Sequence, residues 1–218
     1  MNENGDREPR VARFGRGRPS GPRALVIAVL IGVASGAFGA GAYYSDALSP
    51  LAHTVGLWVV VGVAVSARLP TRTASTAAVV SLLAAVVAFE VGKTVIYVAR
   101  YPGTTYSMSA ETLAFWSVVA LMIGPILGLA SSTMGRGGWK GPASIATICG
   151  ILLGEAIWRQ LNYNMFSGTD VAVVFDLVAA VVIIALNART AGRLGGTLAS
   201  LVPATALGYA VTEVQKLF

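Results

Sequence analysis

The sequence predicts an all-α fold, a polytopic bundle of transmembrane helices with seven spans. Three observations predict it. The 218-residue chain is 55% hydrophobic and only 12% charged, roughly half the charged share of a soluble domain. Its apolar residues fall in long runs, several of them long enough to cross about 30 Å of hydrocarbon. Its basic residues gather in alternate loops between those runs, as the positive-inside rule requires of a multi-pass chain. Mean hydropathy is +0.70, so length bounds the number of spans rather than the size of a water-excluded core.

The elements follow in chain order. Met1 to Arg23 is polar, with Arg7, Arg10, Arg13, Arg16, Arg18 and Arg23 interleaved with Gly, Pro and three acids. Such a stretch cannot bury enough apolar surface to fold, which predicts a disordered basic tail over 1–23 ahead of a transmembrane domain over 24–218. Spans are predicted at 24–44, 52–67, 75–98, 112–131, 142–161, 171–188 and 196–216, the second being short for a crossing. The first could instead be a secretory signal, since "AGA" (Ala40 to Ala42) resembles a small-residue cleavage site. Six spans then remain, with every loop on the same side.

Orientation follows from Lys and Arg. A cytoplasmic tail puts its six arginines inside, together with Arg68, Arg72, Arg136, Lys140, Arg189 and Arg193 in later loops. That is 12 of the 16 basic residues. Lys93, Arg100, Arg159 and Lys216 remain near the opposite face. The expectation is a cell-membrane protein with a cytoplasmic N-terminus and an extracellular C-terminus. The formal net charge of +6 is therefore spent on orientation, and no nucleic-acid partner is expected. Three successive hairpins also return with an acid followed by a base: Glu90 and Lys93, Glu155 and Arg159, Glu213 and Lys216. Either a triplicated hairpin or the shared demands of insertion accounts for that pattern.

The charged residues inside the spans are the candidate site. At about 1.5 Å per residue, Glu90, Glu155 and Glu213 lie roughly 20–25 Å from the cytoplasmic ends of their spans. Asp176 lies about 9 Å inward from the outer end of the sixth by the same rise. All four fall in the outer half, and the inner halves carry no charge. Buried charge in a membrane is costly and usually faces the bundle interior. The spacings allow Glu90 to pair with Lys93 at i, i+3 and Glu155 with Arg159 at i, i+4, and Lys93, Arg159 and Lys216 can snorkel outward. Two readings stay open: ion pairs that seal the outer end, or an outward-open ligand pocket with Glu90, Lys93, Glu155, Arg159, Asp176 and Glu213 on its wall. Ten of the eleven Tyr and Trp residues map to the same half, Trp139 being the exception. They fit either an aromatic pocket wall or a one-sided interfacial belt.

The first span repeats Ala24, Ala28, Gly32, Gly36 and Ala40 at i+4, a ridge that lets another backbone approach closely. Internal packing is the simpler use; a membrane partner subunit or a second copy of the chain is the other. Catalytic chemistry finds little support. "GRGGWKGP" lacks the phosphate-loop spacing, His53 is the only histidine, and Cys149 is the only cysteine and lies in an apolar run. No metal ligand set, cofactor or nucleophile is expected, and the chain does not read as an enzyme.

Several stretches carry a resemblance: "GVASGAFGAGAYY", "LSPLAHTVGLWVVVGVAVSAR", "IGPILGLASS" and "GILLGEAIWRQL". Together they resemble an uncharacterised family of actinobacterial multi-pass membrane proteins, a domain of unknown function, which implies no activity to transfer. The chain is also similar in architecture to the substrate-binding subunits of energy-coupling-factor transporters. Those combine an outward-side pocket with a small-residue ridge on the first helix, but have six spans and a cytoplasmic C-terminus.

Overall fold

The computed structural model describes residues 21–106, 108–163 and 170–214. Among them the chain forms eight helices and no strand: α1 (Gly21–Tyr43), α2 (Ser49–Ala52), α3 (Val55–Ser66), α4 (Thr71–Arg100), α5 (Ala110–Thr133), α6 (Lys140–Asn162), α7 (Val171–Asn187) and α8 (Ala191–Val214). Five of them, α1, α4, α5, α6 and α8, are long and apolar enough to cross a membrane. The apolar helices α3 and α7 are shorter, at 12 and 17 residues. The predicted second span is broken, because α2 stops at Ala52 and α3 starts at Val55. Most of the predicted tail and Lys216 lie outside the described residues, whereas Gly21 to Arg23 form the first turn of α1.

The loops sort to two ends as their charge requires. At one end Thr71 Oγ1 meets Ser132 Oγ at 3.0 Å, Arg136 donates to Thr71 Oγ1 at 3.3 Å, and Arg193 donates to the Gly135 carbonyl at 3.3 Å. At the other end Arg100 donates to the Tyr44 carbonyl at 3.1 Å and Arg159 to the His53 carbonyl at 3.2 Å. The first set holds the loops with Arg68, Arg72, Arg136, Lys140, Arg189 and Arg193, and is the basic end.

Glycine sets how closely the helices pack. On α1, Gly32 faces the carbonyl of Ser81 and Gly36 that of Ala85, and a methyl group at either position would overlap the carbonyl oxygen. The ridge Ala28, Gly32, Gly36 and Ala40 is buried, and α1 makes its main contact with α4. It therefore serves internal packing. Gly128 of α5 packs on the Ser75 backbone, and Gly150 and Gly154 of α6 pack on the backbone of α8 at Ala204, Gly208 and Tyr209. In each case the absent side chain lets one backbone settle into another, as apolar membrane interfaces demand.

The predicted hairpins differ from one another. Helix α3 packs on α4 and α5 on α6, but α7 packs on α6 and α3 rather than on α8. Helix α3 lies between the α1–α4–α5 group and the α6–α7 pair, and its Val59 and Val63 join Leu82, Leu127, Ile148, Leu152 and Ala180 in the main core. The outer surface stays apolar, with Leu30, Met122, Val181, Val202 and Leu207 all exposed, the pattern expected for contact with lipid.

Candidate functional site

The site is built on the break between α2 and α3. Thr54 has extended backbone, and its side chain accepts the Gly56 N–H at 3.0 Å, an N-cap at the head of an apolar helix. The break is level with Glu155, about 10 Å along α6 from its Asn162 end. Backbone donors freed at such depth must find partners within the protein. Glu155 supplies them: Oε1 accepts the Val55 N–H at 2.9 Å and Oε2 the Gly56 N–H at 2.7 Å. A carboxylate there also faces the positive end of the α3 dipole.

Arg159, one turn further along α6, does not pair with Glu155. Its Nε and Nη2 both lie 2.8 Å from Oδ2 of Asp170, and its Nη1 reaches the His53 carbonyl. Asp170 in turn caps α7, its Oδ1 accepting the Ala172 N–H at 2.9 Å. The expected i, i+4 pair gives way because each partner finds a more demanding group across the bundle: Glu155 the open end of a helix, Arg159 a second carboxylate and a free carbonyl. Arg159 is 6% exposed, so it does not snorkel.

Asp176 completes the centre. It is fully buried, and neither carboxylate oxygen has a hydrogen-bond partner among the described residues. Its Oδ1 lies against Gly56, where a methyl group would overlap it. Glu155 and Asp176 thus meet at the N-terminus of α3, from α6 and α7.

The second centre is the expected one. Lys93 Nζ lies 2.8 Å from Glu90 Oε1 at i, i+3. The pair is buried rather than snorkelled, and the ammonium sits 4.8 Å from the Phe89 ring and 5.4 Å from that of Tyr43. Such placement over aromatic faces stabilises a buried cation. Tyr44 donates its hydroxyl to the Lys93 carbonyl at 3.1 Å. The two centres adjoin, because the Tyr43 ring also stacks 5.4 Å from His53, whose carbonyl holds Arg159. Glu213 accepts a hydrogen bond from Tyr209 within α8, and α8 packs on the Gly150–Gly154 face of α6.

Of the four predicted acids, Glu155 and Asp176 converge, Glu90 sits beside them through Tyr43 and His53, and Glu213 belongs to α8. Glu155 and Asp176 are both buried, at 1% and 0% exposure. A groove of about 610 Å³ lies instead at the basic end, between α6 and α8, lined by Trp139, Pro142, Arg193, Gly196 and Ser200 among others. The aromatics towards the end opposite the basic loops stack on one another, as Tyr97 does with Tyr101 and Tyr106, or Trp58 with Phe89. Among the described residues, no group of three His, Cys, Asp or Glu is placed to hold a metal.

Sequence reasoning passed over Thr54, Gly56 and Asp170, and weighed His53 only as a metal ligand. Two carried a signal: "HTVG" and "TDVAV" each place a capping residue just before an apolar run, the usual mark of a helix start. The roles of His53 and Gly56 are purely tertiary.

The chain matches the model of a Family of unknown function (DUF6518) over residues 17–218. It belongs to that family. The match takes in all eight helices and both polar centres. Comparison with curated proteins and with solved structures gives no match.

Proposed function

We propose that this protein is a small-molecule binding or transport component of the cell membrane, with its working centre where Glu155 and Asp176 meet at the broken helix. In this reading it crosses the membrane seven times, α2 and α3 together making the second pass. The N-terminus is cytoplasmic, the C-terminus extracellular, and the centre lies in the outer half. One observation carries the reading: Asp176 is buried at the head of α3 with no hydrogen-bond partner among the described residues. Buried carboxylates in a bundle built for stability alone are paired or absent. Glu155, Asp170 and Asp176 are balanced locally by Arg159, which leaves an excess of acid that suits a cationic or polar ligand. In this reading the centre binds its ligand and carries out no reaction on it.

The test uses the full chain in lipid nanodiscs and a panel of cationic and polar metabolites. At least one compound should raise the melting temperature of the wild type, and Glu155→Gln and Asp176→Asn should fold yet lose that response. A panel that leaves the wild type unmoved rejects the reading. A reporter fused after Phe218 should report the outside; a cytoplasmic signal overturns the seven-pass topology. The alternative is a structural or scaffolding protein with no ligand, and the closed Glu90–Lys93 and Arg159–Asp170 pairs favour it. Under that alternative, apolar replacement of both members of a pair preserves everything measurable.

A further inference from the structure

We propose that the acidic centre holds an exchangeable proton on Asp176, so that the smallest ligand of the site is a proton. The inference rests on reading the Glu155–Asp176 centre as functional, and it names the species bound there. An ionised carboxylate enclosed in an apolar interior without a donor is too costly to keep, and such a group neutralises instead. Every neighbouring charge is already engaged. From α6, Glu155 is taken up by the Val55 and Gly56 N–H groups, and Arg159 is held by Asp170 and the His53 carbonyl. From α7 itself, Asp170 is the partner of Arg159 and the cap of its own helix. From the α2–α3 segment, Thr54 accepts from Gly56, and the His53 ring stacks on Tyr43. Among the described residues nothing basic is left for Asp176.

Charge and space together select the occupant. Three carboxylates face one guanidinium, so a positive charge is wanted. A metal cation collects six or more oxygens at about 2.0–2.6 Å. Both Glu155 oxygens are committed to N–H groups, and Asp176 Oδ1 is pressed so closely on Gly56 that even a methyl group does not fit between them. A proton needs no volume. Binding converts the Asp176 carboxylate to the carboxylic acid, with no other bond made or broken. Release leaves two carboxylates competing for one helix end, Glu155 holding its N–H groups and Asp176 repelled. That competition gives α7 a reason to move relative to α3, and so a way for proton loss to open the closed centre.

Infrared spectroscopy reads the proton without needing a probe to reach the site. The full chain in nanodiscs at neutral pH is expected to show one carboxylic-acid C=O band that shifts on transfer to D2O. The band should move when the protein carries ¹³C-aspartate, and it should vanish in Asp176→Asn. Isotope labelling assigns it to an aspartate in the wild type even if the variant does not fold, and Asp176 is the aspartate that is buried without a partner among the described residues. Absence of the band overturns the proposal, as does a band that moves with ¹³C-glutamate, which places the proton on a glutamate instead. Loss of the band on adding sodium or potassium chloride identifies a metal cation as the occupant and overturns it too. The two readings fail separately: the band with no ligand-induced melting shift keeps the proton and removes the wider binding role, and a ligand shift without the band does the reverse.

Discussion

Replacing Glu155 by Ala tests whether a carboxylate from α6 holds the head of α3. The variant removes the acceptors of the Val55 and Gly56 N–H groups. Gly56 keeps a second acceptor in Thr54 Oγ1 at 3.0 Å, so Val55 is the donor left stranded. A hydrogen bond to a charged group contributes about 1.5–3 kcal/mol, and an unsatisfied buried donor costs about 1–3. With the Gly56 share largely covered by Thr54, the expected loss is about 2–4 kcal/mol. For a chain of this size, that is a fall in melting temperature of about 4–16 °C. Tryptophan fluorescence during heating of the nanodisc-bound protein follows it. An exposed i, i+4 pair with Arg159 would instead be worth about 0.3–0.5 kcal/mol. A double-mutant cycle separates the two: Arg159 should couple strongly to Asp170 and weakly to Glu155. A melting shift under 2 °C, or strong Glu155–Arg159 coupling, refutes the capping argument.

Two further perturbations probe the rest of the bundle. Gly36→Leu drives a side chain into the Ala85 carbonyl; separation of α1 from α4 should lower stability by about 1–3 kcal/mol or more, measured by the same melting assay and by protease nicking near Tyr44. Glu90→Gln leaves the Lys93 ammonium buried without its carboxylate and should cost about 3–5 kcal/mol, whereas the double replacement Glu90→Leu with Lys93→Met should recover most of it. Failure of the double variant to recover shows that the pair is needed for more than its own neutralisation.

What could be read in the sequence was local. Hydropathy and the alternation of Arg and Lys place α1 and α4 to α8 within a few residues, because span length and loop charge are set by the membrane rather than by tertiary contacts. The ridge of α1 was legible for a similar reason: small residues four apart face one way along any helix. The Glu90–Lys93 pair was legible because both partners share a turn. The site was not. Glu155 finds its partners at Val55 and Gly56, about a hundred positions away in sequence, and nothing in i, i+4 spacing indicates that a helix end will be waiting there. The break at His53 and Thr54 hides inside an apolar run, where an average over many residues sees one span. Asp170 was passed over because it begins a helix, and its partnership with Arg159 depends on how α6 and α7 cross.

The arrangement of contacts explains why the centre sits where it does. The α1–α4–α5 group is bound by backbone-to-backbone packing at Gly32, Gly36 and Gly128, and α6 is joined to α8 in the same manner at Gly150 and Gly154. Interfaces of that kind tolerate little sliding, since any shift drives carbonyls into Cα atoms. Helix α3 is different. It is short and set among α4, α5, α6 and α7, and its head is held by side chains: Glu155 on one side, the His53–Tyr43 stack on the other. Side-chain hydrogen bonds exchange partners at far lower cost than interlocked backbones separate. The buried acids therefore lie on a side-chain seam at the head of α3, between the two groups packed backbone to backbone. Asp176 stands on that seam, the one carboxylate in the centre whose charge state is not fixed by a partner.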